Sequence, residues 1–219
     1  MITLDVPPVR GLLTDLYARA EASDAEIGPR VAAAKAKAGG HLDDETLSQL
    51  IADAYTSIAP EVGRLIYLLV RARRPALVVE FGTSFGISTI YFAAALKDNG
   101  GGMVIGSELE PTKVAKANQH LVEAGLAEFV DIRAGDARDT LKDIGEIDLL
   151  FLDGWKVMYP EVVKLLLPSL RQGAVVLADD VTLFPDDVAS YLDFVRDPAN
   201  GFATATLPLG DGIEYSVKL

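Results

Sequence analysis

Residues 151–156 read Phe-Leu-Asp-Gly-Trp-Lys, an apolar run that ends in an acid, an aromatic ring and an amine. The next apolar run, 174–178, ends in the acidic pair Asp179-Asp180. The carboxyl ends of strands in a doubly wound α/β sheet converge on one ligand crevice, so two such strands bring their carboxylates together. Carboxylate oxygens are the ligands that hard cations prefer. The pattern therefore predicts a divalent-metal site with a lysine beside it.

Short apolar runs alternate with helix-like segments throughout the chain after Pro75. This alternation implies right-handed crossovers and a parallel sheet. Two last runs are separated only by Pro-Leu-Gly-Asp-Gly, turn residues that predict an antiparallel hairpin at one edge. The sequence thus predicts a Rossmann-like, doubly wound, seven-stranded α/β sheet that is mostly parallel. The predicted strands are 76–81, 103–107, 129–133, 147–152, 174–178, 202–207 and 213–218.

The N-terminal section has a helical pattern over 9–37 and 43–71, broken by Gly39-Gly40 and Pro60. We expect a helical cap over residues 1–60 and a cofactor- and metal-binding core over 75–219. Because the chain has 219 residues and is 50% hydrophobic, it can bury one substantial core, and we expect a single domain. The apolar positions of the helical section exceed what one sheet face covers, which favours a homodimer.

Composition excludes several classes of function. The formal net charge of −12 disfavours a nucleic-acid partner, since phosphate binding draws on clustered Lys and Arg. The absence of cysteine excludes disulfides, thiolate zinc sites, iron–sulfur clusters and cysteine nucleophiles. No apolar run spans a bilayer and the N-terminus does not resemble a signal peptide, so we expect a soluble, cytoplasmic protein without a membrane partner. His41 and His120 have no metal partner at useful spacing and are expected to be bystanders.

A glycine turn follows the first predicted strand, in the sequence E-F-G-T-S-F-G-I-S-T that starts at Glu80. Such a turn lets the backbone approach a ligand and offers helix N–H groups to an anion, although it also serves as a simple tight connection. Glu108 ends the second strand, where an acid takes both hydroxyls of a ribose; the alternative is an acid at a helix N-terminus before Pro111. Asp136 follows the third strand, where it could contact the adenine ring of a nucleotide. Their succession predicts a nucleotide-like cofactor.

On these residues the chain resembles the class I S-adenosylmethionine-dependent methyltransferases and, within that fold, the cation-dependent, catechol-type O-methyltransferases. The resemblance covers roughly residues 55–219 and is carried by the motifs E-F-G-T-S-F-G, S-E-L-E-P, G-D-A, F-L-D-G-W-K and L-A-D-D-V. It implies S-adenosylmethionine as cofactor and S-adenosylhomocysteine as product. It further implies that Glu80 binds the methionine amino group, that Ser88 lies near the methionine carboxylate and that Glu108 holds the ribose. The cofactor-binding residues so implied are Glu80, Gly82, Ser88, Glu108, Asp136, Ala137 and Asp153.

The same resemblance makes Asp153, Asp179 and Asp180 the metal ligands and Lys156 the general base. A divalent cation binds both oxygens of a vicinal diol and lowers the pKa of the bound hydroxyl, and a lysine then takes the proton. A free lysine has a pKa of about 10.4, so it needs partial burial and a nearby cation to act as a base. The oxyanion then attacks the sulfonium methyl in line.

One residue departs from the family pattern, because Asp180 stands where the family normally has Asn. A third carboxylate favours a hard cation, Mg²⁺ first, and broadens the choice towards Ca²⁺ or Mn²⁺. The acidic pair has an alternative role as the N-cap of a helix near Pro185, and Lys156 as a solvated lysine. The substrate-contacting residues are expected to be Trp155, Lys156 and Asp180.

Trp155 forms either an apolar wall for a flat ring or part of the core. Phe184, Pro185 and Tyr159 are further candidates for that wall. The expected function is magnesium-dependent O-methylation of a small catechol-like aromatic. The alternatives are a metal-independent methyltransferase of the same fold and a non-catalytic cofactor-binding protein. A hydrolase is disfavoured because the chain has only two histidines.

Overall fold

The computed structural model describes residues 1–40, 42 and 44–219, and His41 lies outside the described residues. This part of the chain forms one seven-stranded sheet with the order β3-β2-β1-β4-β5-β7-β6. The strands are β1 Leu77–Phe81, β2 Met103–Glu108, β3 Val130–Ala134, β4 Ile147–Leu152, β5 Leu170–Ala178, β6 Phe202–Leu207 and β7 Ile213–Lys218.

The first five strands are parallel, whereas β7 pairs antiparallel with both β5 and β6. The predicted doubly wound sheet with an antiparallel C-terminal hairpin is therefore confirmed. Strand order reverses between β1 and β4, which pair with each other. A ligand crevice in such a sheet lies at this switch point, outside the carboxyl ends of the strands. The segments after β1 and β4 therefore border the candidate site.

Five strand boundaries differ from the sequence prediction, four of them by one residue and the start of β5 by four. β5 begins at Leu170 rather than at residue 174, because Leu170 pairs with Ile147 before the register shifts. Gly173, whose φ is +77°, lies inside this irregular part of the strand. β3 begins one residue later than predicted, at Val130, because residues Ala127–Phe129 form a 3-10 turn.

The helices cover both faces of the sheet. Adjacent residues of one strand point to opposite faces, so Phe151 joins the apolar cluster beneath α1, α3 and α4, whereas Leu150 joins the cluster beneath α7 and α8. The helices are α1 Pro7–Lys37, α2 Asp44–Leu50, α3 Pro60–Arg73, α4 Ile87–Asn99, α5 Pro111–Glu123, α6 Ala137–Thr140, α7 Tyr159–Leu166 and α8 Pro185–Arg196.

The N-terminal section is helical as predicted, with one exception. The pattern over 43–71 predicts helix up to Pro60, yet the segment between α2 and α3 is irregular. Pro60 is the first residue of α3, where its missing N–H costs nothing. The irregular segment lies against the glycine turn, as described below. Within the described residues, no helix combines the length and apolarity that crossing a membrane requires.

Candidate active site

The glycine turn joins β1 to α4, and Glu80 lies beneath it. The Glu80 side chain is fully buried and accepts hydrogen bonds from the hydroxyls of Thr83 at 2.9 Å, Ser88 at 2.6 Å and Thr89 at 2.6 Å. Burial raises the pKa of Glu80, and the three hydroxyl donors oppose that rise. Glu80 and Ser88 are thus engaged with each other below the turn. Their direct contacts with the methionine moiety of a cofactor stay predictions.

Glu108 lies beside the glycine turn at the end of β2. One carboxylate oxygen accepts a hydrogen bond from the backbone N–H of Ser84 at 2.7 Å, and the other from that of Glu110 at 2.9 Å. The cap of α5 is Glu110, whose side chain accepts from the backbone N–H of Thr112. The Glu108 carboxylate therefore contacts both the glycine turn and the N-terminus of α5, and its contact with a ribose stays a prediction.

Asp136 and Ala137 follow β3, as predicted. The Asp136 carboxylate caps α6 by accepting from the backbone N–H of Arg138 at 2.8 Å, and it pairs with the Arg138 guanidinium at 2.5 Å. Hydrogen bonding to this guanidinium lowers the pKa of Asp136. The carboxylate is thus committed to helix α6, while Ala137 is buried. Their contact with an adenine stays a prediction.

A strap over the glycine turn was missed by the sequence analysis. It consists of residues 55–58, between α2 and α3. The Tyr55 ring stacks on the Phe85 ring with centroids 4.2 Å apart and an interplanar angle of 17°. The Ser84 hydroxyl donates to the Tyr55 carbonyl at 3.0 Å. The cavity between the strap, the turn and Asp153 has a volume of only about 10 Å³.

Further contacts hold the strap and the turn in place. On the strap side, the backbone N–H of Thr56 donates to the carboxylate of Asp24 in α1. On the turn side, the Lys113 ammonium lies 5.5 Å from the Phe85 ring centroid. His120 is buried and its Nδ1 is 2.9 Å from the Phe85 carbonyl oxygen. This histidine therefore supports the turn.

The predicted metal and base residues meet at the ends of β4 and β5. The Lys156 ammonium lies 3.1 Å from an Asp153 oxygen and 2.8 Å from an Asp180 oxygen. The Lys156 side chain is only 11% exposed, so the alternative of a solvated lysine is wrong. Asp179 is buried, and its carboxylate accepts from the backbone N–H of Asp180 at 2.8 Å. We call these four residues the carboxylate–lysine cluster.

Electrostatics of the carboxylate–lysine cluster are dominated by burial and charge crowding. Burial raises the pKa of Asp179 to about 7, and the neighbouring Asp180 charge adds to the rise. Burial also raises the pKa of Asp153 well above its usual range. Burial alone would lower the pKa of Lys156, yet Tyr159 and the carboxylates raise it well above the ordinary lysine value. In this arrangement Lys156 is an ammonium ion.

The carboxylate oxygens are suitable ligands for a hard cation, but they do not form a preorganised metal site. Across residues 1–40, 42 and 44–219, no three or more Asp, Glu, His or Cys side chains converge as a metal-ligand group. The Lys156 ammonium takes the position between Asp153 and Asp180. Three carboxylates with one ammonium nevertheless leave the cluster short of positive charge. The donor set therefore fits a divalent cation, provided that Lys156 moves from between the carboxylates.

The acidic pair does not cap the next helix through its side chains. Helix α8 begins at Pro185 after Phe184, without a side-chain cap. Instead, the Asp180 carbonyl accepts from the backbone N–H groups of Leu183 and Phe184, and Asp180 has a φ of +61°. Asp tolerates this left-handed conformation better than most residues. The N-cap alternative is therefore wrong: the Asp180 carboxylate pairs with Lys156, and the Asp179 carboxylate accepts the backbone N–H of Asp180.

The aromatic candidates separate clearly by exposure. Trp155 is half-buried and belongs to neither apolar cluster of the core. Phe184 is 42% exposed, next to Leu183 at 52%. Tyr159 is fully buried, so its interpretation as part of a substrate wall is wrong. Trp155, Leu183 and Phe184 follow the strands that carry the cluster, where an aromatic substrate ring would need apolar contacts.

Fold and site together define a Rossmann-like α/β protein with a covered glycine turn and a carboxylate–lysine cluster at its switch point. Residues 79–181 match a sequence family described as "Methyltransferase domain". A catechol O-methyltransferase of Niastella koreensis is 35% identical over 130 residues, which are 57% of this chain and 58% of that protein. The pig catechol O-methyltransferase is 32% identical over 127 residues, which are 54% of this chain and 67% of the relative.

A solved structure extends the likeness to three dimensions. The O-methyltransferase TomG from Streptomyces achromogenes, in complex with S-adenosylmethionine, has a TM-score of 0.67 and 26% identity, and the match covers 74% of this chain and 82% of TomG. The chain belongs to the class I S-adenosylmethionine-dependent O-methyltransferases of the catechol type. It spans about three fifths of two catechol O-methyltransferases that it matches, 58% of the Niastella koreensis protein and 62% of the mouse protein.

Proposed function

We propose that this protein is an S-adenosylmethionine-dependent O-methyltransferase that requires a divalent metal ion and acts on a small vicinal dihydroxy aromatic such as a catechol. One observation carries the proposal: the carboxylates of Asp153, Asp179 and Asp180 share the single ammonium of Lys156, so the cluster holds more negative charge than one lysine neutralises. A cofactor-binding module has no evident need for a buried lysine among carboxylates. Family membership and the relatives named above support the same activity.

The metal ligands in this proposal are Asp153, Asp179 and Asp180, with Mg²⁺ as the first choice and Ca²⁺ or Mn²⁺ as alternatives. When bound, the ion supplies Lewis acidity that lowers the pKa of a coordinated hydroxyl. Asp180 adds a carboxylate where the family normally has an amide. We expect this charge to broaden the range of cations that the site accepts.

Lys156 is the proposed general base, and its environment decides when it can act. The ion pairs with Asp153 and Asp180 hold the proton on the amine. Without these ion pairs, burial becomes the main influence on the pKa of Lys156, and burial lowers the pKa of an amine. Lys156 can therefore accept the substrate proton only after the two carboxylates have found another positive partner. The proton then moves from the substrate hydroxyl to the lysine Nζ.

The cofactor is proposed to bind along the glycine turn, with its ribose at Glu108. Both Glu108 oxygens already accept backbone N–H groups, so the carboxylate is held in one orientation. The strap leaves a cavity of only about 10 Å³ at the turn, and we propose that it withdraws from Phe85 when the cofactor binds. Trp155 and Phe184 then supply apolar surface for the acceptor ring. We further propose that the chain folds as one domain and forms a homodimer.

A metal-independent methyltransferase is the second candidate function. The observation that favours it is the position of Lys156, whose ammonium occupies the place between Asp153 and Asp180. In that case the carboxylates serve to orient the lysine. The two candidates differ in the acceptors that they favour. Only a bound metal ion can coordinate two adjacent hydroxyl groups at once, so only the metal-dependent enzyme should prefer catechols to phenols.

The experiment is a methyl-transfer assay over matched acceptors with labelled S-adenosylmethionine. Each catechol is compared with the phenol that lacks the second hydroxyl, with and without added Mg²⁺. The proposal predicts transfer to catechols only in the presence of the metal ion, and little transfer to the phenols. Equal transfer to phenols, unaffected by Mg²⁺, would support the metal-independent candidate. No transfer to any acceptor despite measurable cofactor binding would favour a non-catalytic protein.

A further inference from the structure

Tyr159 is a fully buried ring beneath the carboxylate–lysine cluster. It is the first residue of α7, three positions after Lys156. Its hydroxyl donates to the main-chain carbonyl of Asp179 at 3.2 Å. The Lys156 ammonium lies 5.3 Å from the centroid of its ring, within the range of a cation–π contact. One side chain thus contacts both the base and the main chain of a proposed metal ligand.

Two other aromatic rings hold Tyr159 in place. The Phe81 ring, at the end of β1, meets it edge-on with centroids 6.3 Å apart. The Tyr191 ring of α8 meets it edge-on at 5.6 Å. Such edge-to-face contacts fix ring orientation as well as adding stability. Since Phe81 directly precedes the glycine turn, the Tyr159 ring links the cofactor side of the site to the cluster.

The main chain at Asp179 needs an external support. The strand β5 ends at Ala178, and the backbone N–H of Asp179 still donates to Leu152 of β4 at 2.9 Å. The next residue, Asp180, turns sharply with a φ of +61°. The carbonyl between these two residues accepts the Tyr159 hydroxyl. This bond fixes the peptide from which the Asp180 side chain reaches Lys156.

We propose that Tyr159 is a positioning residue, whose hydroxyl fixes the Asp179 main chain and whose ring holds Lys156 between the carboxylates. It is fully buried below the cluster. Its effect on catalysis rests on the proposed function, whereas its effect on the orientation of Lys156 does not. The two effects are therefore tested by separate measurements.

The kinetic test compares Tyr159→Phe with Tyr191→Phe. Both tyrosines are fully buried and their rings are in contact, but the Tyr191 hydroxyl lies near Glu214 and Ser216 rather than near Asp179 or Lys156. Tyr159→Phe is expected to lower kcat by about tenfold, because it removes one buried hydrogen bond. The KM for S-adenosylmethionine is expected to stay unchanged. Tyr191→Phe is expected to leave both constants unchanged.

The second test measures Lys156 without any turnover. The protein in EDTA is treated with an amine-acylating reagent, and labelling is followed by peptide mass spectrometry, with the exposed Lys164 of α7 as internal reference. In Tyr159→Phe and Tyr159→Leu, Lys156 is expected to be labelled about threefold faster or more relative to Lys164, because local opening becomes easier. Tyr191→Phe is expected to match the wild type.

Unchanged Lys156 labelling in a folded Tyr159→Phe protein would overturn the positioning role. So would an equal loss of kcat in both Phe variants, which would mark a general packing effect. If Tyr159→Leu does not fold, the comparison of Tyr159→Phe with Tyr191→Phe still tests the positioning role. If the wild type methylates no acceptor, the proposed function fails, while the labelling experiment continues to decide the role of Tyr159.

Discussion

Gly82 and Gly154 lie back to back: a Cβ atom on Gly82 would stand 2.5 Å from the backbone nitrogen of Gly154. On its other side, a Cβ on Gly154 would stand 2.6 Å from the Phe81 ring. The glycine turn after β1 and the turn that carries Lys156 after β4 therefore touch without a side chain between them. This contact brings the proposed methyl donor and the proposed base within reach of one acceptor.

Alanine at Gly82 is expected to disturb both halves of the site, because it adds a clash to a residue whose φ is +93°. We expect Gly82→Ala to lower the free energy of unfolding by about 1–4 kcal/mol and to weaken S-adenosylmethionine binding. Urea denaturation and calorimetry measure the two effects. Gly145→Ala is the matched control, since no atom lies within 4 Å of its Cβ position. Equal stability of Gly82→Ala and Gly145→Ala would contradict the close contact between Gly82 and Gly154.

Replacement of Glu108 is expected to weaken cofactor binding. Glu108→Ala removes the carboxylate proposed for the ribose and the acceptor for the Ser84 N–H. We expect a loss of affinity for S-adenosylmethionine of about tenfold or more by calorimetry. The neighbouring Glu110→Gln, which keeps a capping oxygen, is expected to bind as the wild type does. If Glu108→Ala binds equally well, the ribose contact lies elsewhere.

The strap is expected to control the rate of cofactor entry. Tyr55→Ala removes the stack on Phe85, an interaction worth about 0.5–1.5 kcal/mol. Stopped-flow fluorescence of Trp155 is expected to show faster association of S-adenosylmethionine, by about twofold to tenfold. Tyr55→Phe keeps the ring and is expected to behave as the wild type. Identical association rates in the Ala and Phe variants would mean that the strap does not limit entry.

Stability is expected to depend on pH through Asp179. Its folded-state pKa is about 7, raised by burial and by Asp180 above the ordinary aspartate value. A raised carboxyl pKa contributes stability that is complete at low pH and is lost as pH rises through the folded value. In EDTA, Asp179→Asn is therefore expected to match the wild type near about pH 4 and to become roughly 1–3 kcal/mol more stable by about pH 8. A pH-independent difference in urea denaturation would refute this assignment.

The sheet and the clustering of the carboxylates were predictable because their signals are local. Apolar runs that end in glycine or acid mark strand ends, and parallel strands bring those ends to one edge. Asp153 and Asp180 therefore meet Lys156 as expected. Their ion pairing, however, depends on the αL conformation of Asp180, which the sequence does not signal.

Other parts of the site depend on contacts between distant residues. The stack of Tyr55 on Phe85 joins an irregular segment to a turn thirty positions later, and helical periodicity around Tyr55 concealed it. Glu80 was predicted at the site, but not the three hydroxyls that surround it. Tyr159 was predicted as a candidate for the substrate wall, because its position next to the lysine motif carries no information on burial; in the structure it is fully buried.

The initial rate of methyl transfer to a catechol, measured for the wild type and Lys156→Ala in EDTA and after Mg²⁺ is restored, tests the central claim most directly. We predict that EDTA stops the wild-type reaction, that Mg²⁺ restores it, and that Lys156→Ala binds S-adenosylmethionine normally but is slower by roughly 10²-fold or more. A Lys156→Ala protein with full activity, together with a wild type indifferent to EDTA, would contradict the proposed mechanism.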